Sequence, residues 1–256
     1  MIYFFSFFFG LAIGSFINCL VYRLHLRDTR GVLIGRSFCP RCKHQLAWYD
    51  NIPLLSFILL KARCRYCQKK ISIHYPLVEL GTGVLTLLVL FHLRGVLSGH
   101  LAGVLFYLLI TYALIAIFVS DLLYFTVPDE VVWSAIGISF LRILVTGHWS
   151  LVIPGLLSGL FFLALVLATK GRGMGLGDVK LAGLMGLVLG YPKIIIALYL
   201  AFLTGAVVGV ILILLRKKHF GEHIPFGPFL CTATIISLFW GEIIWKQGLV
   251  LLLLRF

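Results

Sequence analysis

The chain has 256 residues, of which 61% are hydrophobic and only 12% are charged. Soluble globular domains carry about 25% charged residues, so a water-soluble domain is excluded and a polytopic membrane protein is indicated. The formal net charge of +13 comes with no basic helix or aromatic platform, so nucleic acid is not an expected partner; positively charged cytoplasmic loops explain it.

A membrane-spanning helix needs about 20 apolar residues. The first run, 2–22, has neither a basic start nor a small-residue cleavage site, and it reads as a retained span rather than a cleaved signal peptide. Further runs follow at 77–93, 101–120, 131–146, 150–169, 179–191, 194–215 and 229–244. The predicted fold is therefore all-α and polytopic, with about eight transmembrane helices embedded in lipid. The run Ile52–Leu60 is too short to span and belongs to the first loop, and the tail Leu249–Leu254 is also too short. Gly10/Gly14, Gly155/Gly159, Gly186/Gly190 and Gly205/Gly209 place small residues four apart, a spacing that plain helix packing explains. No fixed-period repeat or low-complexity stretch is evident.

Charge placement orients the spans. The loop after the first span holds Arg23, Arg27, Arg30, Arg36, Arg41, Lys43, Lys61, Arg63, Arg65, Lys69 and Lys70. Lys170, Arg172 and Lys180 follow in a second loop, and Arg216, Lys217 and Lys218 in a third. Eight alternating spans put all three loops on one face, leaving only Arg94, Lys193, Lys246 and Arg255 opposite, with Arg142 inside a span. The basic face is expected to be cytoplasmic and the N-terminus external. The expected organisation is a first span at 1–22, a cytoplasmic cysteine-bearing loop at 23–76 and a transmembrane core at 77–256.

Within that loop, Cys39-Pro-Arg-Cys42 and Cys64-Arg-Tyr-Cys67 form two C-x-x-C hooks with 21 residues between them. Four thiolates at this spacing suit tetrahedral zinc, and a reducing compartment disfavours stable disulfides. A closed four-ligand site has no open position, so the metal is expected to be structural. His44 is a rival ligand, while Cys19 and Cys231 sit in apolar runs as inert core residues.

Only nine Asp and Glu residues occur in the chain, and an ionisable group near hydrocarbon is a functional candidate. Asp121 ends the third span in Ser120-Asp121-Leu122, and Asp178 opens the sixth in Gly175-Leu176-Gly177-Asp178. The topology puts both at the same membrane face. Two close carboxylates share a proton, so one can take a proton from water while the other donates to a carbonyl. Gly175 and Gly177 suit unusual dihedrals or a closely approaching peptide, though Asp178 could equally cap its helix. Asp129 and Glu130, after Pro128, read as an acidic helix start. Glu79 fits either a structural or a functional part. No H-E-x-x-H or G-x-S-G signature is present.

These motifs together resemble the bacterial prepilin peptidases, or type IV leader peptidases. The resemblance spans roughly 10–245 and is carried by Gly14-Ser15-Phe16-Ile17-Asn18, Tyr22-Arg23-Leu24, the cysteine loop with Trp48-Tyr49-Asp50-Asn51-Ile52-Pro53, Tyr75-Pro76-Leu77-Val78-Glu79, both aspartate motifs and Ile224-Pro225-Phe226-Gly227-Pro228-Phe229. It implies an intramembrane aspartyl protease of the bacterial inner membrane, with Asp121 and Asp178 as its catalytic pair. It implies prepilin and pseudopilin substrates, cut after a glycine at the cytoplasmic face. The cysteine loop belongs to the longer members, which also methylate the new N-terminal amine with S-adenosylmethionine. The chain departs from the family pattern at Leu123, where a second acidic residue is frequent, and at Ala62, where glycine is common. No soluble-type G-x-G-x-x-G signature marks where the methyl donor binds. The rival readings are a related membrane protease for other leader peptides without methylation, and a non-enzymatic scaffold or transporter with a zinc hook.

Overall fold

In a computed structural model, residues 1–26, 37–93, 101–171, 174–216 and 224–253 are described, with side chains through residue 247. Arg27, Arg30, Arg36, Arg94, Arg172, Lys217, Lys218 and Arg255, which carry part of the orientation argument, lie outside the described residues, as does Leu254 of the short apolar tail.

Among the described residues the long elements are all helices. In order come α1 (Ile2–Leu26), a short α2 (Leu55–Leu59), α3 (His74–His92), α4 (Leu101–Tyr124), α5 (Asp129–Thr146), α6 (Val152–Ala168), α7 (Leu176–Leu189), α8 (Lys193–Leu214) and α9 (Gly227–Leu253). Each apolar run predicted from sequence forms one of the eight long helices, and Ile52–Leu60 lies in the loop as expected.

Two findings refine the expectation of eight spans. Among the described residues six helices are long and apolar enough to cross a membrane, one of them Trp149–Ala168, which adds a short 3-10 turn to α6. α7 has 14 residues, a rise of about 21 Å against a hydrocarbon core of about 30 Å. α5 has 18 residues but carries Asp129, Glu130 and Arg142. The chain is a multi-pass membrane protein with two of its long helices short or polar. The tail makes no span of its own, and residues up to Leu253 prolong α9.

The chain forms two compact units, Met1–Val119 and Ser120–Phe256, and α4 runs through the boundary. In the first unit α1 packs on α3. A Cβ on Gly10 would lie 2.8 Å from Gly83 Cα, and one on Gly14 would lie 2.7 Å from Glu79 Cα, so the glycine pair exists to let the backbones touch. Phe4, Phe5, Phe8 and Phe9 point outward, as expected of a face turned to lipid. Thr86 on α3 returns its hydroxyl to Thr82 O at 2.7 Å and meets Tyr112 Oη of α4 at 3.1 Å.

In the second unit α6 and α7 pack through Gly155 and Gly186, where a Cβ on Gly186 would stand 2.6 Å from Gly155 Cα. Ser158 Oγ adds an interhelical bond to Ala182 O at 2.8 Å. α8 pairs with α9, tied by Lys193 and Glu242 at 3.0 Å. Gly205 receives the Phe226 ring, part of an aromatic cluster with Phe162, Phe202 and Phe229. Gly190 takes a different part: at φ 66° it caps α7.

Candidate active site

α4 continues past Asp121 for one turn and stops at Phe125, which takes a left-handed φ of 55° while its N–H donates to Asp121 O at 2.9 Å. Asp121 therefore sits inside the last turn, not at its end, and is 6% exposed. Its Oδ2 accepts the backbone N–H of Gly227 at 2.8 Å. That N–H is the first of α9, whose free N-terminal donors suit an anion. A Cβ on Gly227 would stand 2.6 Å from Asp121 Oδ2, so only glycine brings this donor so close. Sequence reading missed the part played by Gly227, although a Gly-Pro pair opening an apolar run signals a helix start.

Asp178 occupies the first turn of α7 and is 8% exposed. Its Oδ2 accepts the Gly175 N–H at 3.4 Å, so it does cap its helix, with a long bond. It also lies within electrostatic reach of Asp121, and Cys231 lies within reach of both. Oδ1 of each carboxyl has no hydrogen-bond partner among the described residues. The capping and catalytic readings of Asp178 are thus compatible, since capping occupies one oxygen.

Neither glycine before Asp178 has a positive φ, and only Gly177 serves packing. Gly175 has an extended φ of −87°, and a Cβ there would meet only open space and the backbone N of Gly177 at 3.9 Å. A Cβ on Gly177 would lie 2.8 Å from Val127 Cβ. The connection after α4 thus presses against the start of α7 and holds the two aspartates together. Lys180 fixes the same corner by pairing with Asp129 at 2.6 Å, which gives Asp129, the first residue of α5, a structural function.

The four cysteines converge in the first unit. Their Sγ atoms lie within 4.8 Å of one another, with Cys39 and Cys67 at 4.0 Å. A tetrahedral site with Zn–S of about 2.3 Å needs sulfurs about 3.8 Å apart, so the set fits such an ion after a small contraction. His44 is not among them; its ring stacks on Tyr66 at 3.7 Å. Cys39 is held down at about 7: burial opposes its ionisation, and backbone N–H groups of Cys42 and Arg41 outweigh it. Burial pushes Cys64 up.

The two hooks are copies of one knuckle. Cys39 N donates to His44 O and Lys43 N to Cys39 O; Cys64 N donates to Lys69 O and Gln68 N to Cys64 O. Lys43 and Gln68 take φ of 60° and 57°, and Phe38–Gln45 and Arg63–Lys70 bridge each base. The copies share little beyond the cysteines, which is why no repeat is evident in sequence. Asp50 ties the intervening segment to the second knuckle, accepting from Arg65 Nε at 2.8 Å.

Residues 8–93 match the family model described as Bacterial Peptidase A24 N-terminal domain, and residues 108–210 match that of the Type IV leader peptidase family. A prepilin leader peptidase/N-methyltransferase of Aeromonas salmonicida is 37% identical, over 92% of this chain and 90% of that protein. Proteins of the same name from Legionella pneumophila and Pseudomonas aeruginosa are each 33% identical, over 94% and 91% of this chain and 92% and 88% of theirs. The chain belongs to the type IV leader peptidase family. No solved structure matches it. The cysteine cluster falls within the N-terminal-domain match and both aspartates within the leader peptidase family match, while Gly227 lies beyond it.

Proposed function

We propose that this protein is a membrane aspartyl endopeptidase that removes the leader of type IV prepilins and pseudopilins, cutting after a glycine at the cytoplasmic face of the bacterial inner membrane, and then methylates the new amino terminus. Asp121 and Asp178 are its catalytic pair. The observation that supports this best is the pair of buried carboxyls in one compact unit, one of them anchored by the Gly227 N–H. The pair shares one proton. One carboxylate takes a proton from water as the water attacks the scissile carbonyl, and the other donates its proton to the carbonyl oxygen. Collapse of the tetrahedral intermediate passes a proton to the leaving amine. The cysteine loop faces the cytoplasm, the N-terminus is external, and Cys39, Cys42, Cys64 and Cys67 hold a structural zinc ion. S-adenosylmethionine supplies the methyl group, and cleavage precedes methylation because the amine does not exist before the cut.

The test uses purified protein in detergent with a prepilin substrate. Asp121→Asn and Asp178→Asn are each expected to lower cleavage by about a thousandfold or more, because the pair acts as a unit, while both variants stay folded. Substantial cleavage by either variant would sink the assignment.

A further inference from the structure

A cavity of about 430 Å3 lies within the first unit, in the range of small-molecule sites, about 300–1,000 Å3. It is walled by the two cysteine knuckles, the last turns of α1 and the first turns of α3. Neither Asp121 nor Asp178 lines it.

Three of its lining residues are polar and buried, Asn18 and Arg23 on α1 and Glu79 on α3. Asn18 is 5% exposed and donates from Nδ2 to Tyr75 O at 3.1 Å, while its Oδ1 accepts from nothing among the described residues. A buried acceptor without a donor is costly and rare. Glu79 is 8% exposed, and its Oε2 accepts the Leu54 N–H at 2.8 Å. Gly14, one turn before Asn18, is where α1 touches α3 at Glu79 itself. The glycine contact therefore sets a lone carbonyl oxygen and a carboxylate on adjoining turns. Such a pair selects a ligand with N–H groups and positive charge. Lys69 and Lys70 line the same cavity, so it offers both signs of charge, as a zwitterionic ligand requires.

We infer that this cavity is the methyl-transfer site, where a sulfonium methyl donor binds and Asn18 Oδ1 and Glu79 hold the new amino terminus of the processed pilin. The inference rests on the methylating half of the proposed function. An α-amino group has an ordinary pKa of about 7.7–8.0, so a sizeable fraction is neutral in the cytoplasm after loss of a proton to solvent. The nitrogen lone pair attacks the methyl carbon; a C–N bond forms, the C–S bond breaks, and its electron pair stays on sulfur to give a thioether. The positive charge passes from sulfur to nitrogen, where Glu79 stabilises it, and Asn18 Oδ1 orients the amine by accepting one N–H.

The test uses the full-length enzyme with prepilin and S-adenosylmethionine, and mass spectrometry reads the cleaved and methylated fractions separately. Asn18→Ala and Glu79→Gln are expected to lower the methylation rate by at least about tenfold and to leave cleavage within about twofold of wild type. Asn18→Asp, which keeps an acceptor oxygen, is expected to retain most of the methylation. Normal methylation by Asn18→Ala or Glu79→Gln overturns the inference alone. Cleavage that falls in step with methylation in all three variants overturns it too, because the residues then serve the fold at large. A wild-type enzyme that cleaves without ever methylating removes the methylating half of the proposed function and this site with it.

Discussion

Ala62 holds a backbone φ of 59°, a conformation that costs a residue with a β-carbon on the order of 1 kcal/mol and glycine almost nothing. The glycine that the family resemblance leads one to expect here would meet almost none of that cost. Ala62→Gly is expected to stabilise the cysteine loop by about 0.5–1 kcal/mol, read as slower metal release to a chelator; faster release would contradict it. Gly227 stands at the other extreme, because its Cβ would enter the space of Asp121 Oδ2. Gly227→Ala is expected to cost about a hundredfold in cleavage, since a shift of about 1 Å at a catalytic group has that effect. Wild-type rates from this variant would show that the anchoring N–H is dispensable. Asp121 and Asp178 were legible in the sequence because a charge beside an apolar run stands out. The anchor was not: a backbone N–H leaves no residue signature, and its contact joins positions 106 apart. Asn18 entered only as part of the resemblance at 14–18, with no role attached to it.

The glycine spacings are legible as contacts but not as partners. Four similar pairs turn out to have different duties: Gly10 and Gly14 meet α3, Gly155 meets Gly186, Gly205 takes an aromatic ring and Gly190 ends a helix. Gly186→Val would drive a branched side chain into α6, and overpacking of this kind costs about 1–3 kcal/mol. A lowered melting temperature in detergent is the expected sign, and an unchanged one would show that α6 yields easily. The knuckles respond to pH instead. Cys39 is held down at about 7, whereas Cys42 and Cys64 beside it are pushed up, so the thiols by themselves do not share one sign. A depressed acid contributes stability that is complete above its unfolded value and is lost as pH falls through its folded one. Metal binding has the same sign, because every thiol must shed its proton. Metal content after dialysis is therefore expected to be full near pH 8 and to drop by about pH 5; equal retention at both would contradict thiolate ligation.

Across the whole chain, hydropathy located every long helix, because an apolar run of that length has few alternatives in a bilayer. Helix length and membrane crossing are separate properties: six of the described helices are long and apolar enough to cross, while the shorter α7 is covered largely by protein, with Leu181, Ala182, Leu184 and Met185 buried. The division into two compact units was not legible, since the boundary falls inside α4 with no break in sequence pattern. The bond between Asp121 and Gly227 carries one further consequence, for the order of synthesis. A ribosome adds about 5–20 residues per second, so the 106 positions that separate the two take on the order of 5–20 s to make. Throughout that interval the nascent chain holds an aspartate that lacks its anchor. On the proposed assignment of Asp121, cleavage then waits until the Gly227 end of α9 is in place.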